Sequence, residues 1–152
     1  ESTIDNMVKY INDIAGIRII CSFTSDIYRI ADMIRDQRDI KVIAVKDYIT
    51  YPKASGYKSY HMIVSIPVYL SDRTVDTKVE VQIRTVAMDF WASLEHKIHY
   101  KFEGDAPENI KNELVECARM VSDLDARMLS LNDEILAISK KREEESAKKE
   151  TT

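Results

Sequence analysis

The chain of 152 residues carries 22 Lys and Arg against 26 Asp and Glu, a formal net charge of −4, with 45% hydrophobic and 32% charged residues. That balance is globular: it excludes a disordered chain, and the apolar runs fall far short of the ~20 residues of a membrane helix. Three Gly, three Pro and two Cys exclude collagen-like, linker-dominated and disulfide-built chains, and the mild acidity argues against a general DNA or RNA coat.

The chain opens on Glu1 with no signal-peptide pattern, and reads as the ordered or processed part of a longer protein in a reducing cytoplasm. Ile4, Met7, Val8, Ile11 and Ile14 recur at helical spacing, and Gly16 ends that helix. Residues 17–23 are β-branched and apolar, the pattern of a central strand. Residues 25–37 form an amphipathic helix with Ile27, Ile30, Ala31 and Ile34 inward; 40–49 form a strand; and 50–59, with Pro52, Ser55 and Gly56, form a loop.

Tyr60, Met62, Val64, Ile66, Val68 and Leu70 alternate, as do Val79, Val81 and Ile83, which predicts a hairpin with one buried face. The opposite face of its second strand carries Glu80, Gln82 and Arg84, either the floor of a site or a solvated face with Glu80 paired to Arg84. A helix over 86–100 follows, with Val86, Phe90, Trp91, Leu94 and Ile98 on one stripe. After Pro107, the residues Ile110, Leu114, Cys117, Val121, Leu124, Met128, Leu131, Ile135 and Ile138 form a heptad seam. The expected fold is α+β: a mixed sheet of about four to five strands with helices packed against it. Residues 1–104 form the catalytic domain, 105–141 a long helix for packing or oligomerisation, and 142–152 a charged flexible tail.

Residues 41–61 hold Lys41, Lys46, Lys53, Lys58 and His61 against a single acid, Asp47, interleaved with Tyr48, Tyr51, Tyr57 and Tyr60. Cations and aromatic faces around a Gly-containing loop suit a ligand with phosphates and a stacking base, although a lysine-decorated edge strand gives the same composition. Asp13 and Glu80, carboxylates at two element ends, suit Mg²⁺ held between phosphate oxygens, although Asp13 capping a turn and Glu80 pairing with Arg84 account for them as well. No Gly-x-x-x-x-Gly-Lys loop is present, which excludes a Walker-type NTPase. His96 and His99 read as surface or packing histidines, Cys21 as a core residue and Cys117 as a seam residue.

Four segments then occur in order: Asp13-Ile-Ala-Gly16-Ile-Arg18, Tyr51-Pro-Lys53-Ala-Ser-Gly56-Tyr57-Lys58-Ser-Tyr-His61, Val79-Glu80-Val-Gln82-Ile-Arg84-Thr85 and Trp91-Ala-Ser-Leu-Glu95-His96. Together they resemble the synthetase domain of the RelA/SpoT-like (p)ppGpp synthetases, and the short chain with its helical C-terminus resembles a small alarmone synthetase. The match runs from about Ile11 to Phe102.

The resemblance implies a nucleotidyltransferase-like fold, a role in the stringent response, and transfer of the β,γ-pyrophosphate of ATP to the ribose 3′-hydroxyl of GTP or GDP. It implies that Asp13 and Glu80 hold Mg²⁺, with Glu80 also assisting deprotonation of the 3′-hydroxyl. Arg18 lies against adenine, Tyr57 stacks on guanine, Lys46 meets phosphate, and Lys53, His61 and Gln82 surround the acceptor; Lys58 counts among the nucleotide-binding residues. It also implies a homotetramer.

The sequence departs from the family twice. A basic segment that grips ATP phosphates upstream of Asp13 has no counterpart, so the N-terminal part of the domain is expected to be missing. Asp89 stands where these enzymes often carry Asn, which puts a negative charge near the guanine nucleotide. Two rival functions stay open: a pyrophosphotransferase acting on another 3′-hydroxyl, in an adenine nucleotide or a tRNA end, and a catalytically silent guanine-nucleotide-binding regulatory module.

Overall fold

The computed structural model describes residues 15–151. The predicted first helix and the candidate Asp13 lie outside them. Among the described residues, four strands form one mixed sheet: β1 (Ala15–Cys21), β2 (Lys41–Asp47), β3 (Tyr60–Tyr69) and β4 (Thr74–Thr85), in the order β1-β4-β3-β2. β1 runs parallel to β4, while β4–β3 and β3–β2 are antiparallel. The predicted hairpin is the β3–β4 pair.

One strand reading needs correction. Residues 17–23 read as a central strand, yet among the described residues β1 is at the edge, and Ile17 and Ile20 are exposed. Apolar β-branched composition marks a strand without marking its place in the sheet. Gly16 is the second residue of β1 and pairs in register with Glu80.

The two faces of the sheet divide the labour. Tyr60, Met62 and Val64 of β3 and Val79, Val81 and Ile83 of β4 are buried on one face, where period-two alternation puts them. Helix α1 (Thr24–Arg35) covers this face with Ile27 and Ala31, and Ile30 and Ile34 pack at its rim. The other face carries Gly16 and Arg18 of β1, Glu80, Gln82 and Arg84 of β4, and His61 of β3, aligned by register. Lys46 of β2 pairs with His61 and joins the same face.

Helix α2 (Val86–Lys101) starts directly after β4, with the Thr85 hydroxyl accepting from the Met88 amide as its N-cap. Its buried side is Met88, Trp91 and Ala92; Val86, Phe90 and Leu94, read as part of the inward stripe, are exposed. The stripe was legible as apolar, but the domain lies on the neighbouring face of the helix.

Helix α3 (Glu108–Glu150) is 43 residues long, about 65 Å at 1.5 Å per residue. Trp91 Nε1 donates to the Leu114 carbonyl at 2.8 Å, and Ile110, Leu114, Ala118 and Val121 pack around that tie. Cys117, assigned to the seam, is exposed, because the packed side runs through Ala118 instead. Beyond Asp125 the seam lies open among the described residues: Met128, Leu131, Ile135 and Ile138 are between 44% and 58% exposed. Residues 142–150, read as a flexible tail, are helical; Lys, Arg, Glu and Ala all favour helix even without an apolar face. No helix among the described residues is long and apolar enough to cross a membrane.

Candidate functional site

The polar face of the sheet is a connected structure. Gln82 Nε2 donates to Glu80 Oε1 at 3.0 Å, and Gln82 Oε1 accepts from Arg84 Nη2 at 2.6 Å. The same Nη2 donates to the Tyr57 hydroxyl at 3.1 Å, and that hydroxyl lies 3.0 Å from His61 Nε2. His61 Nδ1 faces Glu80 Oε1 at 3.5 Å, closing a ring of five side chains from one loop and two strands. Glu80 and Arg84 are not a direct pair; Gln82 stands between them.

The direction of the protons follows from donor chemistry. A guanidinium only donates, so the Tyr57 oxygen accepts from Arg84, and the Tyr57 hydroxyl donates to His61 Nε2 in the tautomer that has its proton on Nδ1. His61 then carries its proton on Nδ1, toward Glu80. Burial lowers the His61 pKa; Glu80 opposes that, and Arg84, Lys53 and Lys46 push it further down. The lowered pKa favours the neutral His61 imidazole, which is the state this pattern requires.

The Tyr57 ring has an ordered surround. Tyr48 and His61 meet it edge-on, with centroids 6.0 and 5.8 Å away. Lys53 Nζ lies 4.8 Å from the Tyr48 ring centroid and 5.1 Å from that of Tyr57. Asp47, the one acid in the basic stretch, is occupied elsewhere: it accepts from the Ile49 and Thr50 amides, at 2.9 and 3.0 Å, and from the Thr50 and Tyr28 hydroxyls. It closes β2 with a turn, and its hydrogen bonds go to that turn and to Tyr28 rather than to the lysines of the loop.

Gly56 sets the seat of this loop. Its φ of +97° is in the region that favours glycine, and a Cβ there would sit 2.5 Å from Ala118 Cβ and 3.4 Å from the Trp91 ring. The loop backbone therefore rests directly on α2 and α3, and Tyr57 leaves it toward the polar face.

Arg18 reaches the far side of the same face. Its Nη1 and Arg84 Nη1 each lie 3.4 Å from Asp89 Oδ1. The negative charge that the sequence reading put beside a nucleotide is flanked by two guanidiniums, so the locality is net positive. Arg18, Tyr57 and Arg84 line an open cleft of about 420 Å³ with Ser93, Glu95, His96 and Lys97 of α2.

Of the candidate residues, Arg18, Lys46, Lys53, Tyr57, His61, Glu80 and Gln82 converge on this face. Lys58 does not: its Nζ is bonded to Ser122 Oγ of α3. In a chain with alternating side chains, the neighbour of a site residue faces away from the site. Sequence reasoning placed Arg84 with Glu80 and Gln82 on a possible site floor, or else as a partner of Glu80, and gave it no role toward a ligand; the structure puts it in contact with Gln82 and Tyr57. Tyr48 was missed, though it stood in the cation-aromatic stretch. Cys21 packs against the core with its thiol donating to the Arg84 carbonyl at 3.3 Å; burial first, then Asp26 and Asp125, push its pKa up to about 11.

Among the described residues no group of three or more His, Cys, Asp or Glu side chains is arranged as a metal cage. A single carboxylate on a polar face, as Glu80 is, fits a magnesium ion that takes its remaining ligands from phosphates and water.

Comparison with known proteins places this arrangement. A family model described as a region found in RelA/SpoT proteins matches residues 2–105. GTP pyrophosphokinase YwaC of Bacillus subtilis is 49% identical over 135 residues, which cover 89% of this chain and 64% of that protein. Among solved structures, small alarmone synthetase 2 from Bacillus subtilis matches with a TM-score of 0.79 at 45% identity, over 88% of this chain and 77% of that one. Small alarmone synthetase 1 from the same organism, bound to its product pppGpp, also gives a TM-score of 0.79, at 38% identity, over 87% of this chain and 68% of that one. The chain spans a little under two thirds of the length of the curated relative.

Proposed function

The chain belongs to the RelA/SpoT family, and from that premise we propose that the protein transfers the β,γ-pyrophosphate of ATP to the ribose 3′-hydroxyl of GTP or GDP. The observation that carries this reading is the ring of Glu80, Gln82, Arg84, Tyr57 and His61 beside Lys46 and Lys53. A relative solved with pppGpp supports a guanosine acceptor.

The acceptor base stacks on the Tyr57 ring, which Arg84 and His61 hold by its hydroxyl. Lys53 and Lys46 receive phosphate charge, and Arg18 lies against the adenine of the donor. Glu80 takes the proton of the 3′-hydroxyl as its oxygen bonds to the β-phosphorus of ATP. The bond from that phosphorus to the α–β bridging oxygen breaks, and AMP leaves with the electron pair. Gln82 and His61 fix the carboxylate that accepts the proton, so the gain is one of alignment and charge placement.

Glu80 would hold a magnesium ion, which would supply neutralisation of the phosphate oxygens during transfer. Asp13, the second carboxylate proposed for it, lies outside the described residues. The exposed outer seam of α3 serves assembly with further copies of the chain, in line with the tetramer that the resemblance implies.

Incubation of the full-length protein with ATP, Mg²⁺ and GTP or GDP, followed by chromatography, tests the reading. AMP should appear together with a guanosine penta- or tetraphosphate. Competition by adenine nucleotides or tRNA for the acceptor site would favour the other pyrophosphotransferase, and guanine-nucleotide binding without turnover would favour the silent module.

A further inference from the structure

We propose that the Ser122–Asp125 turn of α3 is a clamp that positions Tyr57 and Arg84, with Asp125 and Lys58 as positioning residues for the acceptor site. The inference rests on the reading above that Tyr57 belongs to that site.

Two dipeptides carry it, Tyr57-Lys58 and Arg84-Thr85. The first members meet on the polar face, Arg84 Nη2 to the Tyr57 hydroxyl at 3.1 Å. The second members turn the opposite way and end on the same turn of α3. Lys58 Nζ donates to Ser122 Oγ at 2.5 Å, and Thr85 Oγ1 donates to Asp125 Oδ2 at 2.9 Å. Ser122 Oγ in turn donates to the Ala118 carbonyl, and Thr85 Oγ1 also accepts from the Met88 amide. The turn thus grips the loop that bears Tyr57 and the junction that follows Arg84, both from behind.

The chemistry is that of a register pin. Thr85 is fully buried and Asp125 is 7% exposed, next to the packing surface of Leu114, Ala118 and Val121. Burial raises the Asp125 pKa, while the Thr85 hydrogen bond and the Lys58 charge pull it down. A slip of α3 by one turn would take from the buried Asp125 carboxylate its Thr85 donor and leave the Thr85 proton without an acceptor, a penalty that an apolar contact does not impose.

Asp125→Ala, Asp125→Asn and Ser122→Ala in the full-length protein test this, with two readouts: GDP affinity by calorimetry without ATP, and amide hydrogen exchange over residues 53–58 and 84–88. Asp125→Ala should weaken GDP binding roughly tenfold, speed exchange in both segments and leave the ATP KM within about twofold. Asp125→Asn, which still accepts from Thr85, should recover most of the affinity. Ser122→Ala should weaken GDP binding severalfold, and it decides the matter if Asp125→Ala does not fold. A purely structural role would lower the active fraction and Tm without moving GDP affinity, and wild-type affinity and exchange in folded variants would overturn the clamp. If the wild type binds no guanine nucleotide, the acceptor reading fails instead; exchange alone then judges the clamp, faster exchange upholding it and unchanged exchange overturning it.

Discussion

Arg84, 4% exposed, donates through Nη2 to the hydroxyl of Tyr57 at 3.1 Å, across 27 residues of sequence. This bond ties the aromatic loop to the central strand of the sheet and orients the phenol toward His61.

It also refines the expected behaviour of Tyr57. Tyr57→Ala should raise the acceptor KM by the equivalent of about 1–3 kcal/mol, the cost of a lost stacking surface. The residue types alone lead one to expect that Tyr57→Phe is tolerated. With the hydroxyl bonded to Arg84 and His61, Phe should instead cost about 1 kcal/mol. Steady-state kinetics with varied GDP separate the two; a Phe variant as damaged as Ala would refute stacking.

Glu80→Gln keeps the shape of the side chain and removes the charge that faces His61 Nδ1. Turnover should fall by at least about 10²-fold, the range for loss of a general base, with Tm little changed. A rate near that of the wild type would leave Glu80 with a purely structural place in the ring.

Acid should destabilise the protein through His61. Its folded pKa lies below the ordinary 6.5, with burial the first cause, so the unfolded chain takes up the proton first. The stabilising contribution is full above about pH 6.5 and is lost as pH falls through the folded value. Asp125 works in the opposite sense: its raised pKa favours the folded state below that value, and the benefit is lost as pH rises through it. Thermal melts between about pH 5 and 7 should show a falling Tm on the acid side that His61→Gln flattens. An identical slope in the variant would contradict the assignment.

The outer part of α3 gives an assembly prediction. Met128 and Leu131 are 44% and 51% exposed on a helix that outruns the sheet. Replacing both with Lys should lower the mass measured by light scattering while α2 and the sheet stay folded. A wild type already monomeric at micromolar concentration would remove the oligomer from the account.

The β3–β4 hairpin was legible because period-two alternation names both the buried set and, by exclusion, the polar face with Glu80 and Gln82. Helix faces were less so. Val86, Phe90 and Leu94 are as apolar as Trp91, and only the position of α3 decides which of them is covered. The direction of Lys58 was not legible for a related reason: composition counts it with the cations of the loop, while its Nζ ends on Ser122, away from the face that Tyr57 joins. Asp125 carried no signal, since a lone acid in a charged helix looks solvated until Thr85 is found against it.

The most direct test of pyrophosphate transfer follows one labelled atom. The full-length protein is given ATP labelled at its β phosphorus, Mg²⁺ and GDP, and the nucleotides are separated. The account predicts that the label moves into a guanosine nucleotide while the AMP formed carries none. Label remaining in ATP, in ADP or as inorganic phosphate, with no labelled guanosine product from GDP or GTP, would contradict it.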